Sequence, residues 1–161
     1  MNFEDLNIIF PDATPETWHV HSNGGGWVQN TATVTDSAYV GPDAIVSGSA
    51  IVSGDARVSG DARVSGYAIV SGDARVSGDA RVSGTASVSG SAWVGGEAQV
   101  SGSAWVGGEA QVFDDAKVFD ESIVSGRSMV AGNAMVYGSA RVSGRSLVFG
   151  DAVISGNEII D

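Results

Sequence analysis

From Gly25 to Gly156 the hydrophobic and polar positions repeat every six residues without one insertion, giving 22 consecutive hexads from GGWVQN to DAVISG. The fourth place of the hexad is Val in 21 of them and Ile154 in the other, and the second place is always small, with Ala in 18 and Gly26, Ser122, Ser128 and Ser146 in the rest. One residue separates these two places, so in an extended segment both point to one side and the third place points away. Each hexad is therefore expected to form a very short strand, too short to bury anything alone. The sixth place is Gly in 17 hexads and Asn30, Asp36, Asp114 or Asp120 in four more, residue types that tolerate a left-handed backbone, with Pro42 as the one departure. A corner at every sixth residue makes a prism whose coils stack roughly 4.8 Å apart around a narrow core of Val and Ala.

The coil length follows from a duplication. Residues 49–66, SAIVSGDARVSGDARVSG, and 67–84, YAIVSGDARVSGDARVSG, differ only at Ser49 against Tyr67, which gives a period of 18 residues or three hexads. About seven triangular coils then make a rod roughly 35 Å long at strand spacing. A second duplication, SAWVGGEAQV at 91–100 and 103–112, has a 12-residue step, so duplication length alone leaves the coil open, and an intertwined three-chain β-spike is the competing architecture. The organisation expected is an N-terminal capping segment at 1–24, a repeat domain at 25–156 and a C-terminal tail at 157–161.

VGPDAI at 40–45 fits the hexapeptide signature of an aliphatic residue, Gly, two free places, a small residue and a free place. Over residues 25–156 the chain resembles the left-handed parallel β-helix proteins of the bacterial hexapeptide-repeat transferase class, although Ser stands in most hexads where that signature prefers Gly or an acid. The resemblance implies an all-β fold, a single-stranded left-handed parallel β-helix. It does not carry activity with it. Acyltransferases of the class use a His general base at a subunit junction, often beside a loop that leaves the coil, and bind acyl-coenzyme A there; members acting as carbonic anhydrases hold a metal on three His. This chain has two His, none beyond residue 21, and no loop within the repeat. No catalytic, cofactor-binding or metal-binding residue is therefore expected, the resemblance points to a non-catalytic member, and an acyltransferase is the last-ranked alternative.

His19 and His21, in WHVHSNGGGW, form a His-x-His pair that could share a face of a strand and bind a metal, or ring one ion in a three-chain spike. With no other ligand close in sequence, a surface strand of the cap is the favoured reading. SNGGGW lacks the spacing and the Lys of a phosphate loop and reads as the hinge between cap and prism.

Composition changes this picture little: 161 residues with 43% apolar and 17% charged side chains suit one soluble domain, and the 23 Gly are periodic where a flexible segment would scatter them. The absence of Cys removes disulfides and thiolate metal sites. The first residues, MNFEDLNIIFPD, are neither a secretory signal nor a membrane span, so the cytoplasm of a bacterial or phage-infected cell is expected, with a virion as the other possibility and no membrane contact. The net charge of −11 is shared between the ends and a repeat in which acids and bases interleave. Under an 18-residue coil Asp43, Asp61, Asp79, Glu97 and Asp115 form one ladder beside Arg63, Arg81 and Lys117, while Asp55 and Asp73 stand by Arg57 and Arg75 on the next face. Such a ladder could imitate phosphates, and an acidic phage-type inhibitor that blocks a host nucleic-acid-binding protein is the first alternative function. A mutually compensated, solvated face is the favoured reading, with no direct contact to nucleic acid.

The outward places turn apolar toward the C-terminus. Ile123, Met129, Met135, Leu147 and Val153 occupy third places, and Phe113, Phe119, Tyr137 and Phe149 replace the usual Ser at fifth places. Trp93 and Trp105 also point outward. The coil period puts Met135 and Val153 on one face, with Phe119 and Tyr137 along one of its edges and Phe113 and Phe149 along the other. Core burial cannot explain them, because Val and Ala already fill the core places. A contiguous apolar patch usually marks a contact surface. The expected function is a non-enzymatic scaffold that self-associates, as a homo-oligomer, or binds a host protein partner through these residues; of the two, joining identical chains is favoured.

Overall fold

The computed structural model describes residues 1–161. A strand forms at the third and fourth places of each hexad, extended by one residue in the first, and pairs in parallel with the strand 18 residues on, so that Val46 stands beside Val64 and Val64 beside Val82. The chain is an all-β parallel β-solenoid of about seven coils. Its three sheets are the faces of a prism. The first carries the strands that begin at Trp27, Ile45 and Arg63 and so on, the second those at Thr33, Ile51 and Ile69, and the third those at Tyr39, Arg57 and Arg75. The repeat supplies the hydrogen bonds between coils at the three odd places: Arg57 N–H donates to Ala74 O (2.9 Å), Ser59 N–H to Val76 O (2.9 Å) and Asp73 N–H to Gly90 O (2.8 Å).

The second and fourth places build one core cluster of 36 buried residues running from Val28 to Val148. Where Ser replaces Ala inside, its hydroxyl bonds back to a corner carbonyl: Ser122 Oγ donates to Phe119 O at 2.7 Å and Ser128 Oγ to Ser125 O at 2.8 Å. A buried hydroxyl is tolerated because it is satisfied.

From Gly48 onward every sixth-place Gly has φ between 62° and 71°, and Asp114 and Asp120 follow at 58° and 60°. Asn30 and Asp36, expected to turn the same way, are not left-handed. In the first coil the N-terminal segment shapes the corners instead: Asn30 Nδ2 donates to Glu16 O (2.7 Å), and the Asn23 amide donates to Ser37 O (3.2 Å) and Ala38 O (3.1 Å).

That segment has two parts. Helix α1 (Phe3–Ile9) starts with a capping box in which Asn2 and Asp5 exchange hydrogen bonds of 2.9 Å. It lies along the outside of the first face, where Leu6, Ala13 and Trp18 bury Ile45. Strand β1 (Trp18–Val20) then runs antiparallel to β2 (Trp27–Gln29), and the turn between them closes the first coil. Gly24 and Gly26 are packed tightly there, since a Cβ on either would stand 2.3 Å from a carbonyl oxygen of the coil. Where a hinge is expected, Gly24 and Gly26 form a corner fitted against the coil, and only the Cβ position of Gly25 is open.

Residues 157–161 correct the expected tail. Ile159–Ile160 forms a strand paired with Arg141–Val142, and Ser143 N–H donates to Ile160 O at 2.8 Å. NEIID lacks the small second place, but Ile160 fills the Val place, and that suffices to continue the second face. No helix is long and apolar enough to cross a membrane.

Candidate interaction surfaces

Sorting the outward residues by face gives three chemically different surfaces. The first face carries Asp43, Asp61, Asp79, Glu97, Asp115 and Asp151 at first places and Arg63, Arg81 and Lys117 at third places. The third face carries Asp55, Asp73 and Glu109 against Arg57, Arg75, Arg127 and Arg145. Between Thr31 and Ser143 the second face has one acid, Glu121, and one base, Arg141, at its outward places. Its remaining outward residues there are Ser, Thr and Gly with Ile51, Tyr67, Ile69, Trp105 and Ile123. This neutral face escapes a reading that follows composition along the chain. Taking every third hexad shows it, in the first places Thr31, Ser49, Tyr67, Thr85 and Ser103.

Few of the interleaved charges compensate one another by contact. Two ion pairs exist, the terminal amino group with Asp43 and Arg127 with Glu109 (2.8 Å), and none joins Asp to Arg within a DARVSG hexad. Arg57 instead lies over the Tyr39 ring, 4.8 Å from its centroid.

The structure brings together some of the eleven expected contact residues and separates others. Phe119 and Tyr137 stack with ring centroids 5.0 Å apart and 6° between their planes. They lie on the corner between the first and second faces, with Met135 paired to Val153 beside them on the first. Phe113 and Phe149 lie on the corner between the third and first faces, and Phe113 stacks on Trp93 at 6.1 Å. Met129 is paired with Leu147 on the third face. Nine of the eleven therefore wrap around two faces and their corners as a convex ridge, on which Leu147 (61%), Phe149 (69%) and Val153 (52%) are the most exposed. Trp105 and Ile123 stand apart from these, on the neutral second face.

Both outward indoles are fixed by the same device. Trp93 Nε1 donates to Ser77 Oγ and Trp105 Nε1 to Ser89 Oγ, each at 2.9 Å. Each ring lies over a corner where Gly replaces the usual fifth-place Ser; a Cβ would come within 3.0 Å of Trp93 Nε1 at Gly95 and 2.7 Å of Trp105 Cζ2 at Gly107. The sequence carries this signal as the doubled SAWVGG, where Trp and the extra Gly occur together. A shallow depression of about 420 Å³ beside Trp93 is lined by Arg57, Ser59, Arg75 and Ser77 and lies open on the third face.

His19 and His21 have separate partners. His19 Nδ1 meets Asn30 Oδ1 at 2.7 Å in an exposed strand, while His21 is buried with Nε2 3.0 Å from Ala38 O. No group of three or more His, Asp or Glu side chains is arranged to hold a metal ion.

Comparison with known proteins bears on the repeat. Residues 56–72, 70–84, 74–90 and 130–144 match the model of the YdcK beta solenoid repeat. The matched stretches include most of the DARVSG hexads and span less than half of the chain. The chain is a β-solenoid repeat protein, and the match names a solenoid repeat without naming a transferase. No curated protein and no solved structure matches it.

Proposed function

We propose that this β-solenoid repeat protein is a non-catalytic scaffold, a rigid rod that presents the outward apolar residues of its C-terminal coils to a protein partner. The observation that supports this is the ridge around Phe119, Tyr137, Met135 and Val153, which gathers large apolar side chains in the solvent-facing places of a fold whose core is already filled. Burying one such side chain contributes roughly 1.5–3 kcal/mol, so a few anchors suffice for a specific complex. The convex shape favours another protein over a copy of the chain, because a prism has flat faces and outward corners and offers no groove to cover a ridge. Met135→Asp with Tyr137→Asp removes the apolar character without touching the core. The wild-type chain as bait is expected to retain a partner from the cell that makes it, at high salt, and the double variant to lose that partner with unchanged β circular dichroism. Equal retention by both chains would refute the reading.

A second reading rests on the first face, where Asp61, Asp79, Glu97 and Asp115 stand in register one coil apart without ion-pair partners. An acidic mimic that blocks a nucleic-acid-binding protein would hold its partner through this ladder, and moderate salt would release it.

A further inference from the structure

We propose that two copies of the chain pair antiparallel through the neutral second face, with Trp105 of each copy seated over Ser87 of the other. This contact goes beyond the C-terminal partner surface and does not depend on it.

Charge selects the face. The chain carries a net charge of −11, so copies repel unless they meet where the field is weakest. Pairing first faces would set two columns of carboxylates against each other, and pairing third faces would desolvate seven charged groups on each side. The second face holds Glu121 and Arg141 alone between Thr31 and Ser143, with Asp36 and Asp120 on its bordering corners. Asp120 is already engaged, accepting a hydrogen bond from Gly138 N–H at 3.1 Å.

Shape selects the register. The third-place column of this face has small Ser87 in register between Ile69 on one side and Trp105 on the other. Trp105 is therefore a knob beside a hollow, and its indole is locked by Ser89 and Gly107 before any partner arrives. A two-fold axis along the strand direction, midway between the rungs of Ser87 and Trp105, places each knob in the other copy's hollow. The same axis sets Ile69 opposite Ile123 and Thr33 opposite Ile159, so the column overlaps over its whole length. Glu121 then faces Tyr67 and Arg141 faces Ile51, while at each end Asp161, whose carboxylate already accepts from Ser143 Oγ at 2.7 Å, comes opposite Thr35. Ile51 and Ile69 are each 39% exposed and Trp105 is 42% exposed, so the apolar surface is available to cover. Rungs spaced about 4.8 Å apart and strand steps of about 3.3 Å give a flat contact of roughly 500–600 Å² in projection, close to the ~800 Å² of accessible surface per partner in a standard interface once corrugation is counted.

The register has a mixing test. The chain has no Cys and all substituted places point outward, so circular dichroism checks that each variant keeps its fold. The wild-type chain is expected to sediment as a dimer. Ile69→Asp alone and Ile123→Lys alone each bury two unpaired charges in the contact, and each should halve the mass. Mixed one to one, they bring Asp opposite Lys and Ile opposite Ile, and the dimer should return. Met135→Asp with Tyr137→Asp should stay dimeric, which separates this contact from the partner ridge. A monomeric wild type, an Ile69→Asp chain that remains dimeric, or a mixture that stays monomeric would each overturn the proposal. If Met135→Asp with Tyr137→Asp dissociates the dimer while Ile69→Asp does not, the copies meet at the ridge and this face assignment is wrong.

Discussion

A Cβ placed on Gly78 would lie 2.8 Å from the carbonyl oxygen of Gly96, one coil further on. Gly78 also has φ +69°, so any other residue there meets two obstacles, a left-handed backbone and a rigid neighbour. The two separate experimentally, because Gly150, at φ +67°, has nothing within 4 Å of its Cβ position. Gly150→Ala should cost only the conformational penalty, on the order of 1–2 kcal/mol. Gly78→Ala should cost clearly more, and Gly78→Val more again, as read from thermal or denaturant unfolding. Equal losses at the two sites would show that the coils yield to the added atom.

Much of this was legible because the repeat leaves few choices. A small second place and a Val fourth place fix which side of each strand is buried, and the duplication at 49–84 points to three hexads per coil, the period at which the strands pair, while the 12-residue duplication at 91–112 does not follow the coil. Helix α1 is different: FEDLNII has no periodic partner, and its seat on the first face depends on Ile45, which reads in sequence like any other third-place residue. The corners at Asn30 and Asp36 depart from the left-handed expectation because residue type sets only a tolerance for that region, while side-chain bonds from Asn23 and from Asn30 itself decide the turn. The contact candidates were legible as outward residues. Their division between the ridge and the neutral face requires the side chains to be sorted by coil, because neighbours in sequence fall on different faces.

Asp120 provides a left-handed corner without glycine, at φ 60°, with its carboxylate accepting from Gly138 N–H. Asp120→Ala keeps the Cβ and loses the acceptor, which should cost about 1–2 kcal/mol. Asp120→Gly loses the same acceptor and relieves the backbone, so it should be close to neutral and more stable than the Ala variant. Equal and substantial losses of the two variants in chemical denaturation would mean that the carboxylate, which both lack, governs this corner and the φ angle does not.

The Trp93 indole depends on a missing side chain. Gly95→Ser restores the residue usual at fifth places and puts a Cβ 3.0 Å from Nε1, so the ring must shift and its bond to Ser77 Oγ be strained. Global stability should fall by less than about 1 kcal/mol, since the ring lies outside the core. The indole N–H resonance of Trp93 should shift while that of Trp105 stays in place. An unchanged Trp93 resonance would show that the ring is not held as described.

The two histidines should behave differently although one residue separates them. His21 is 5% exposed, and its Nε2 carries the proton because the Ala38 carbonyl opposite can only accept. Removing the ring in His21→Ala opens space between the N-terminal turn and the first coil and deletes that bond, a loss of roughly 1–3 kcal/mol. The Ala38 oxygen keeps the Asn23 amide at 3.1 Å, which holds the cost toward the lower end. His19 is exposed and bonded only to Asn30, so His19→Ala should cost less than about 0.5 kcal/mol. Because each coil touches only its neighbours, the damage should also be local. Hydrogen exchange should accelerate at the Gly26 and Val40 amides, which bond across the first coil, and stay unchanged beyond Val82. Added zinc should not raise the melting temperature, since the ring nitrogens these bonds leave free, His19 Nε2 and His21 Nδ1, have no third His, Asp or Glu arranged beside them to complete a site. Comparable losses from the two substitutions, or zinc bound at one equivalent and lost in the double variant, would instead make the pair a metal site.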